Sequence, residues 1–184
     1  MIFTVDANGI LQFGDRSVRC ALGPAGVIPA AAKREGDGAT PAGSWPLRRV
    51  IWREDRGPRP ATALPLRALA HEDGWCDDPA DAAYNRLVRL PYPASAERLW
   101  REDSIYDLIV VLGYNDDPPV AGGGSAIFLH IARPDFAPTQ GCVAVERQYL
   151  EILLALASPG HRLDIRLPDR GQPKAQASAR GLRR

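Results

Sequence analysis

Two apolar runs constrain this chain more than any other feature. The stretches YDLIVVLGYN (106–115) and SAIFLHIA (125–132) are rich in β-branched residues and are bounded by turn formers. Short, continuously apolar runs of this kind read as buried central strands. The segment between them, DDPPVAGGG (116–124), reads as a loop that is flexible or approaches a ligand.

Further short strands extend the pattern. FTVDANGILQF (3–13) places two strands around Asn8-Gly9, a hairpin signal because both residues tolerate positive φ. SVRCAL (17–22) reads as a third strand, with Cys20 as a small apolar filler, and HRLDIRL (161–167) as the last. The chain has 17 Gly and 17 Pro in 184 residues, which implies many turns and shaped loops. GPAGVIPAAAKREGDGATPAGSWPL (23–47) is accordingly expected to be a structured loop leading into WPLRRVIWR (45–53). Residues 53–93 show little periodicity, and so long an irregular stretch is usually functional or a lid. ASAERLWRED (94–103) is expected to form a short helix.

A second helix is expected in ERQYLEILLALAS (146–158), where Tyr149, Leu150, Leu153, Leu154 and Ala157 make a core-facing stripe closed by Pro159-Gly160. The expected architecture is mainly β with helices, one domain over residues 1–168. Residues 169–184 read as a disordered basic tail.

Charge and composition remove several function classes. A formal net charge of +1 gives no pull toward a polyanion, so no nucleic-acid partner is expected. No apolar run approaches the roughly 20 residues of a membrane span, and MIFTVDANGILQFGD is not a signal peptide as written. Cys20, Cys76 and Cys142 are too far apart for a disulfide framework or a close-spaced zinc pattern. HEDGWCDD (71–78) brings His71, Glu72, Asp73 and Cys76 together, but at no ligand spacing, and reads as a solvated turn. KREGDGATPAG (33–43) reads most simply as a series of charged turns, and the glycines of 116–124 lack the Lys-Ser/Thr ending of a phosphate loop.

The chemistry concentrates in HIARPDFAPTQGCVAV (130–145). A thiol is a weak nucleophile near neutral pH, and a histidine within reach can take its proton if the other ring nitrogen is held. His130 closes a predicted strand, a rigid mount. Cys142 follows Gly141, where the backbone can turn tightly and aim the Gly141 and Cys142 N–H groups at an oxyanion. Each residue also has a plain structural reading: a buried small hydrophobe for the cysteine, a satisfied polar group for the histidine.

Three segments together resemble the YkuD-type L,D-transpeptidase catalytic domain, and its short proteobacterial branch in particular. They are KREGDGATPAGSWPL (33–47), DDPADAAYNRLV (77–88) with ERLWREDSIYDLIVVLGYND (97–116), and GSAIFLHIARPDFAPTQGCVAV (124–145). The resemblance covers about Lys33 to Leu167. It implies a β-sandwich with the cysteine in a cleft, Cys142 as nucleophile, His130 as base and then acid, the Ile131 carbonyl as orienter of the imidazole, and Gly141 in the oxyanion turn. It implies attack on a peptidoglycan peptide stem, a thioester, and transfer to an amine, commonly that of diaminopimelate, with no metal and no organic cofactor. The partners implied are donor and acceptor stems, met in the periplasm by a monomer. Widely spaced cysteines suit export, because an exported nucleophile must avoid a disulfide partner.

Two positions depart from better-known members: Gln140 replaces a histidine beside the cysteine, and Ala144 replaces an Arg or Asn two residues after it. Both bear on donor choice. A branch of the family in Alpha- and Betaproteobacteria joins L-alanine at stem position one to diaminopimelate at position three, and the short motif and Pro-rich loops resemble it. The loops 116–124 and 23–33 are expected near the cleft mouth. Substrate contacts are expected from Tyr114, Asn115 and Arg133, which flank the strand end carrying His130, and from Thr139 and Gln140 beside the cysteine. The alternatives are a hydrolase of the same fold (carboxypeptidase or endopeptidase) and a non-catalytic cell-wall-binding module.

Overall fold

A computed structural model describes residues 2–168. Thirteen strands occur in the order β1 (Ile2–Val5), β2 (Ile10–Phe13), β3 (Arg16–Arg19), β4 (Val27–Pro29), β5 (Thr40–Trp52), β6 (Leu66–Ala68), β7 (Asp73–Cys76), β8 (Leu87–Arg89), β9 (Ala96–Arg98), β10 (Leu108–Leu112), β11 (Phe128–Ile131), β12 (Val143–Val145) and β13 (Arg162–Ile165). One α-helix, α1 (Arg147–Leu156), lies between β12 and β13.

The main sheet runs β12-β11-β10-β5-β13-β1-β2-β3, with β4 and β6 also paired to β5. Its organiser is β5, whose first half pairs with β13 (Gly43 opposite Ile165) and whose second half pairs with β10 (Trp52 opposite Leu108). Just past β3, Ala21 bridges back to Ala144 in β12, so the sheet nearly closes on itself and its two edges are covered.

Strand alternation sorts the core onto two faces. Val110, Leu112, Leu129, Ile131, Val143 and Val145 face inward and meet Leu150, Leu153 and Leu154 of α1. Ile51, Ile109, Val111 and Phe128 point to the other face. That face is covered by Trp75 of β7, Leu99 and Tyr106, next to a small sheet of order β8-β7-β9. Trp75 and Tyr106 meet Phe128 edge-on, with ring centroids 5.0 and 6.1 Å apart. The result is a β-sandwich with a cleft between its layers.

The structure corrects several expectations. The expected helix over 94–103 is instead β9, because Ala96–Arg98 completes the small sheet by pairing antiparallel to β7. Residues 53–93 are not irregular throughout but supply β6, β7 and β8. The loop expected over 23–47 ends at Ala39, since β5 begins at Thr40, and it contains β4. HEDGWCDD is no solvated turn: Asp73–Cys76 is a buried strand, and the Asp73 carboxylate accepts from Arg67 (2.8 Å) and from the Ala70 N–H (2.7 Å). The first hairpin turns through Asp6 as well as Asn8-Gly9, because the Asp6 carboxylate takes the Asn8 and Ile10 N–H groups. The expected basic tail, 169–184, lies outside the described residues. No helix among the described residues is long and apolar enough to cross a membrane.

Candidate active site

His130 is placed by its strand. It pairs with Ile109 of β10 and Ala144 of β12, so the register fixes it on the face that looks toward the small sheet. Its ring is buried, packs edge-on against Tyr106 at 5.1 Å, and is held through Nδ1 by the Ile131 carbonyl at 2.9 Å. A carbonyl can only accept, so Nδ1 carries the proton and Nε2 keeps a free lone pair.

Cys142 sits on the neighbouring edge, immediately before β12. Its thiol donates to the Ala126 carbonyl (3.1 Å) and its sulfur accepts the Phe128 N–H (3.3 Å). Ala126 holds a φ of 51°, a left-handed conformation that a residue other than glycine adopts only under constraint. That strained carbonyl is one of the two groups that fix the sulfur.

The turn before the cysteine is stapled by Thr139. Its hydroxyl donates to the Cys142 carbonyl (2.7 Å) and accepts the Gly141 N–H (3.1 Å). The Gly141 amide is therefore engaged, and of the two expected oxyanion donors the Cys142 N–H is the one left outside that turn. Gly141 itself has φ 126°, and a Cβ there would stand 2.6 Å from the Ala39 carbonyl. Gly141→Ala should cost roughly 1–3 kcal/mol from the backbone alone, before the clash adds to it. Urea unfolding should show a lowered midpoint; a variant as stable as the wild type would mean that this close approach is not kept in solution.

His130, Cys142, Arg133, Thr139, Gln140 and Ala144 all line one cleft of about 560 Å³. Tyr114 and Asn115 do not. The Tyr114 ring packs on Trp45 in the inner core, and Asn115 holds the 116–124 loop through Val120 and the Gly124 carbonyl. The loops 116–124 and 23–33 also stay off the cleft lining; the Gly122 carbonyl accepts the Glu35 N–H and so ties the first to the KREGDG segment. Residues of the segments that carry the resemblance, though not expected as substrate contacts, take their place: Glu35, Asp77, Glu97, Arg101, Tyr106 and Ser125. Behind them Lys33 is almost fully buried, with Nζ bonded to Asp37 at 2.7 Å and to the Arg34 carbonyl. The series of charged turns is thus one wall of the cleft and its support.

Burial sets the protonation states. It pushes the Cys142 thiol up to about 12, assisted by the Glu97 charge and opposed by the Phe128 N–H and Lys33. It pulls His130 down to about 4, with Arg101 and Arg133 adding to the effect and the Ile131 and Ile105 carbonyls opposing it. At neutral pH the resting pair is a thiol and a neutral imidazole, not an ion pair.

The folded ring binds its proton less tightly than an unfolded histidine, whose value is 6.5. His130 therefore contributes stability that is complete above about pH 6.5 and is lost as pH falls through about 4. The full amount is roughly 3 kcal/mol. Urea unfolding at about pH 7.5 and about pH 4.5 should show most of that loss in the wild type and a smaller loss in His130→Gln. Equal losses in the two proteins would remove His130 from the account.

The fold and this cleft define a β-sandwich domain with a thiol and an imidazole in one pocket. A family model described as YkuD, the L,D-transpeptidase catalytic domain, matches residues 2–165, and the chain belongs to that family. The family acts on peptidoglycan, generally outside the cytoplasm. No curated protein matches the chain.

Proposed function

We propose that the protein is a peptidoglycan L,D-transpeptidase that crosslinks peptide stems through a thioester on Cys142. The observation that carries the reading is the shared cleft: a fixed sulfur and an imidazole whose Nδ1 is committed to the Ile131 carbonyl, which leaves Nε2 as the base. Nε2 takes the thiol proton as sulfur attacks the stem carbonyl, and the Cys142 N–H steadies the oxyanion. The leaving amine then takes that proton from His130, and the acyl group stays on sulfur. An incoming amine reverses the sequence, forming the new amide as the C–S bond breaks. Water competes for the same thioester, which is how a hydrolase of this fold would work. A non-catalytic module has no need to keep both groups in one cleft.

The donor is proposed to be L-alanine at stem position one, joined to diaminopimelate at position three. The support is local. Ala144 is buried, pairs with His130 and puts only a methyl on the cleft wall, while Gln140 puts a neutral amide there. Neither of these two positions carries a cation, so neither can hold the carboxylate of a longer donor stem. The site of action is proposed to be the periplasm, which three buried, unpaired cysteines suit. Purified sacculi incubated with the protein and analysed by mass spectrometry of the released muropeptides should show one-to-three dimers. Exclusive three-to-three dimers would overturn the donor assignment, and shortened stems without dimers would make the protein a hydrolase.

A further inference from the structure

One wall of the cleft gathers three carboxylates. Glu35, Asp77 and Glu97 all line it, and among the described residues none of the three takes part in an ion pair. Glu35 accepts the Tyr84 hydroxyl and Glu97 accepts the Tyr106 hydroxyl at 2.8 Å, both neutral donors. Asp77 Oδ1 is buried with no hydrogen-bond partner. Burial raises the Glu97 carboxyl, the Tyr106 hydroxyl and the Arg101 charge oppose this, and the nearby Asp77 and Glu35 carboxylates add to it. Like charges held this way destabilise the empty cleft and favour a cationic occupant.

A second observation points to the same occupant. Ser125 is 8% exposed and belongs to the cleft wall. Its hydroxyl lies beside that of Tyr84, which gives its own proton to Glu35, accepts the Gly124 N–H at 3.0 Å and has a second lone pair for the Ser125 proton. The Ser125 oxygen then keeps its own lone pairs for a donor, and no group among the described residues fills them. On the same lining, Arg101 and Arg133 share one carboxylate, Asp103, at 2.7 and 3.0 Å, so one of their two positive charges is left over.

We propose that Asp77, Glu97, Glu35 and Ser125 form the subsite for the ammonium group of the acyl acceptor, and that Arg101 and Arg133 take a carboxylate borne beside that ammonium. An ammonium offers three N–H donors and no acceptor, which matches a wall of carboxylates and a hydroxyl oxygen with lone pairs to spare. The arginines narrow the class to an amino-acid head group, ammonium and carboxylate on one carbon, rather than a simple amine. The proposal rests on the transpeptidase reading above, because an acceptor is needed only if the thioester is aminolysed. One ammonium proton first leaves to a wall carboxylate, which freely returns it to water. The neutral nitrogen then attacks, His130 takes its second proton as the new C–N bond forms and the C–S bond breaks, and the departing sulfur recovers that second proton from His130.

The test separates this proposal from the reading it rests on. Binding of free meso-diaminopimelate and of 1,5-diaminopentane, which lacks the carboxylates, is followed by NMR titration of the Cys142→Ser protein, which requires no turnover. Diaminopimelate should bind saturably and more tightly than diaminopentane. Glu97→Gln, which keeps an acceptor for Tyr106, and Asp77→Asn should each weaken diaminopimelate roughly tenfold or more. Arg133→Ala should abolish the preference over diaminopentane. Folding of each variant is checked by the dispersion of the same spectra, and Glu97→Gln and Asp77→Asn give two independent readings. Unchanged affinity in both folded acid variants overturns the subsite. Failure of the active protein to form any acyl-enzyme on muropeptides would instead overturn the transpeptidase reading, and the titration would still decide whether the wall binds an ammonium.

Discussion

Cys142→Ala is expected to abolish turnover on peptidoglycan completely. The change removes the sulfur on which the proposed thioester forms, and no other thiol lines the cleft. The variant also loses a buried contact, because the Phe128 N–H and the Ala126 carbonyl both depend on the sulfur. Leaving those groups unpaired costs about 1–3 kcal/mol, so a loss of activity could be confused with a loss of fold. Cys142→Ser answers that objection. Its hydroxyl can keep a donor toward Ala126 and an acceptor toward Phe128, yet an alcohol proton is held far more tightly than a thiol proton. The serine protein should be close to wild type in urea midpoint and still give no dimer from sacculi. Dimer formation by either folded variant at near-normal rate would end the nucleophile assignment. The raised thiol adds a second reading: iodoacetamide should label the resting enzyme slowly at neutral pH, since burial keeps the sulfur protonated until substrate arrives.

Local pattern carried the parts of this fold whose partners are close in sequence or whose burial is complete. β10 is apolar at every position and β11 at every position but His130 because both faces are covered, and α1 shows a three-to-four residue stripe because one side meets the inner core. β9 was not legible for the opposite reason. Ala96–Arg98 has no strand pattern of its own and is extended only because β7, some twenty residues earlier, offers an edge to pair with. β5 looked shorter than it is because Pro41, Gly43 and Pro46 punctuate it. Pro46 stands where β5 changes partners from β13 to β10, Gly43 lies opposite Ile165 of β13, and Pro41 lies in the part that pairs with β4.

The site divides along the same line. His130 stands on β11 and Cys142 immediately before the neighbouring β12, so a motif in one continuous stretch could point to both. Tyr114 and Asn115 were expected at the cleft because they follow β10, yet parity argues otherwise. Ile109 pairs with His130 and shares its face, whereas Tyr114 follows Leu108, Val110 and Leu112 onto the inner face. Counting in twos from Ile109 was the available signal. Glu97 and Asp77 showed no local pattern of their own, since β9 and the end of β7 are brought to the cleft only through the pairings of the small sheet. Lys33 was hidden by its company: a lysine among Arg, Glu and Asp reads as solvated, and only the close approach of Gly124 and the Asp37 pair reveals that it is enclosed.

His130→Ala is expected to lower turnover by about 100- to 10,000-fold, the usual worth of general-base assistance. The large effect follows from the resting state. With the thiol raised to about 12 and the imidazole lowered to about 4, almost no thiolate exists at neutral pH, and proton transfer has to accompany attack. An enzyme with a preformed thiolate–imidazolium pair would tolerate loss of the base better once the thiolate had formed. Here the base is needed at the moment of reaction, and again as the acid that protonates the leaving amine. The variant's residual rate should therefore climb with pH well beyond neutrality as hydroxide takes over the missing role, while the wild-type rate should be flat across the same range. His130→Gln, which keeps a side chain against Tyr106 but has no base, should behave as the alanine variant does. A glutamine variant with the wild-type rate and pH profile would show that His130 supports the cleft wall and moves no proton.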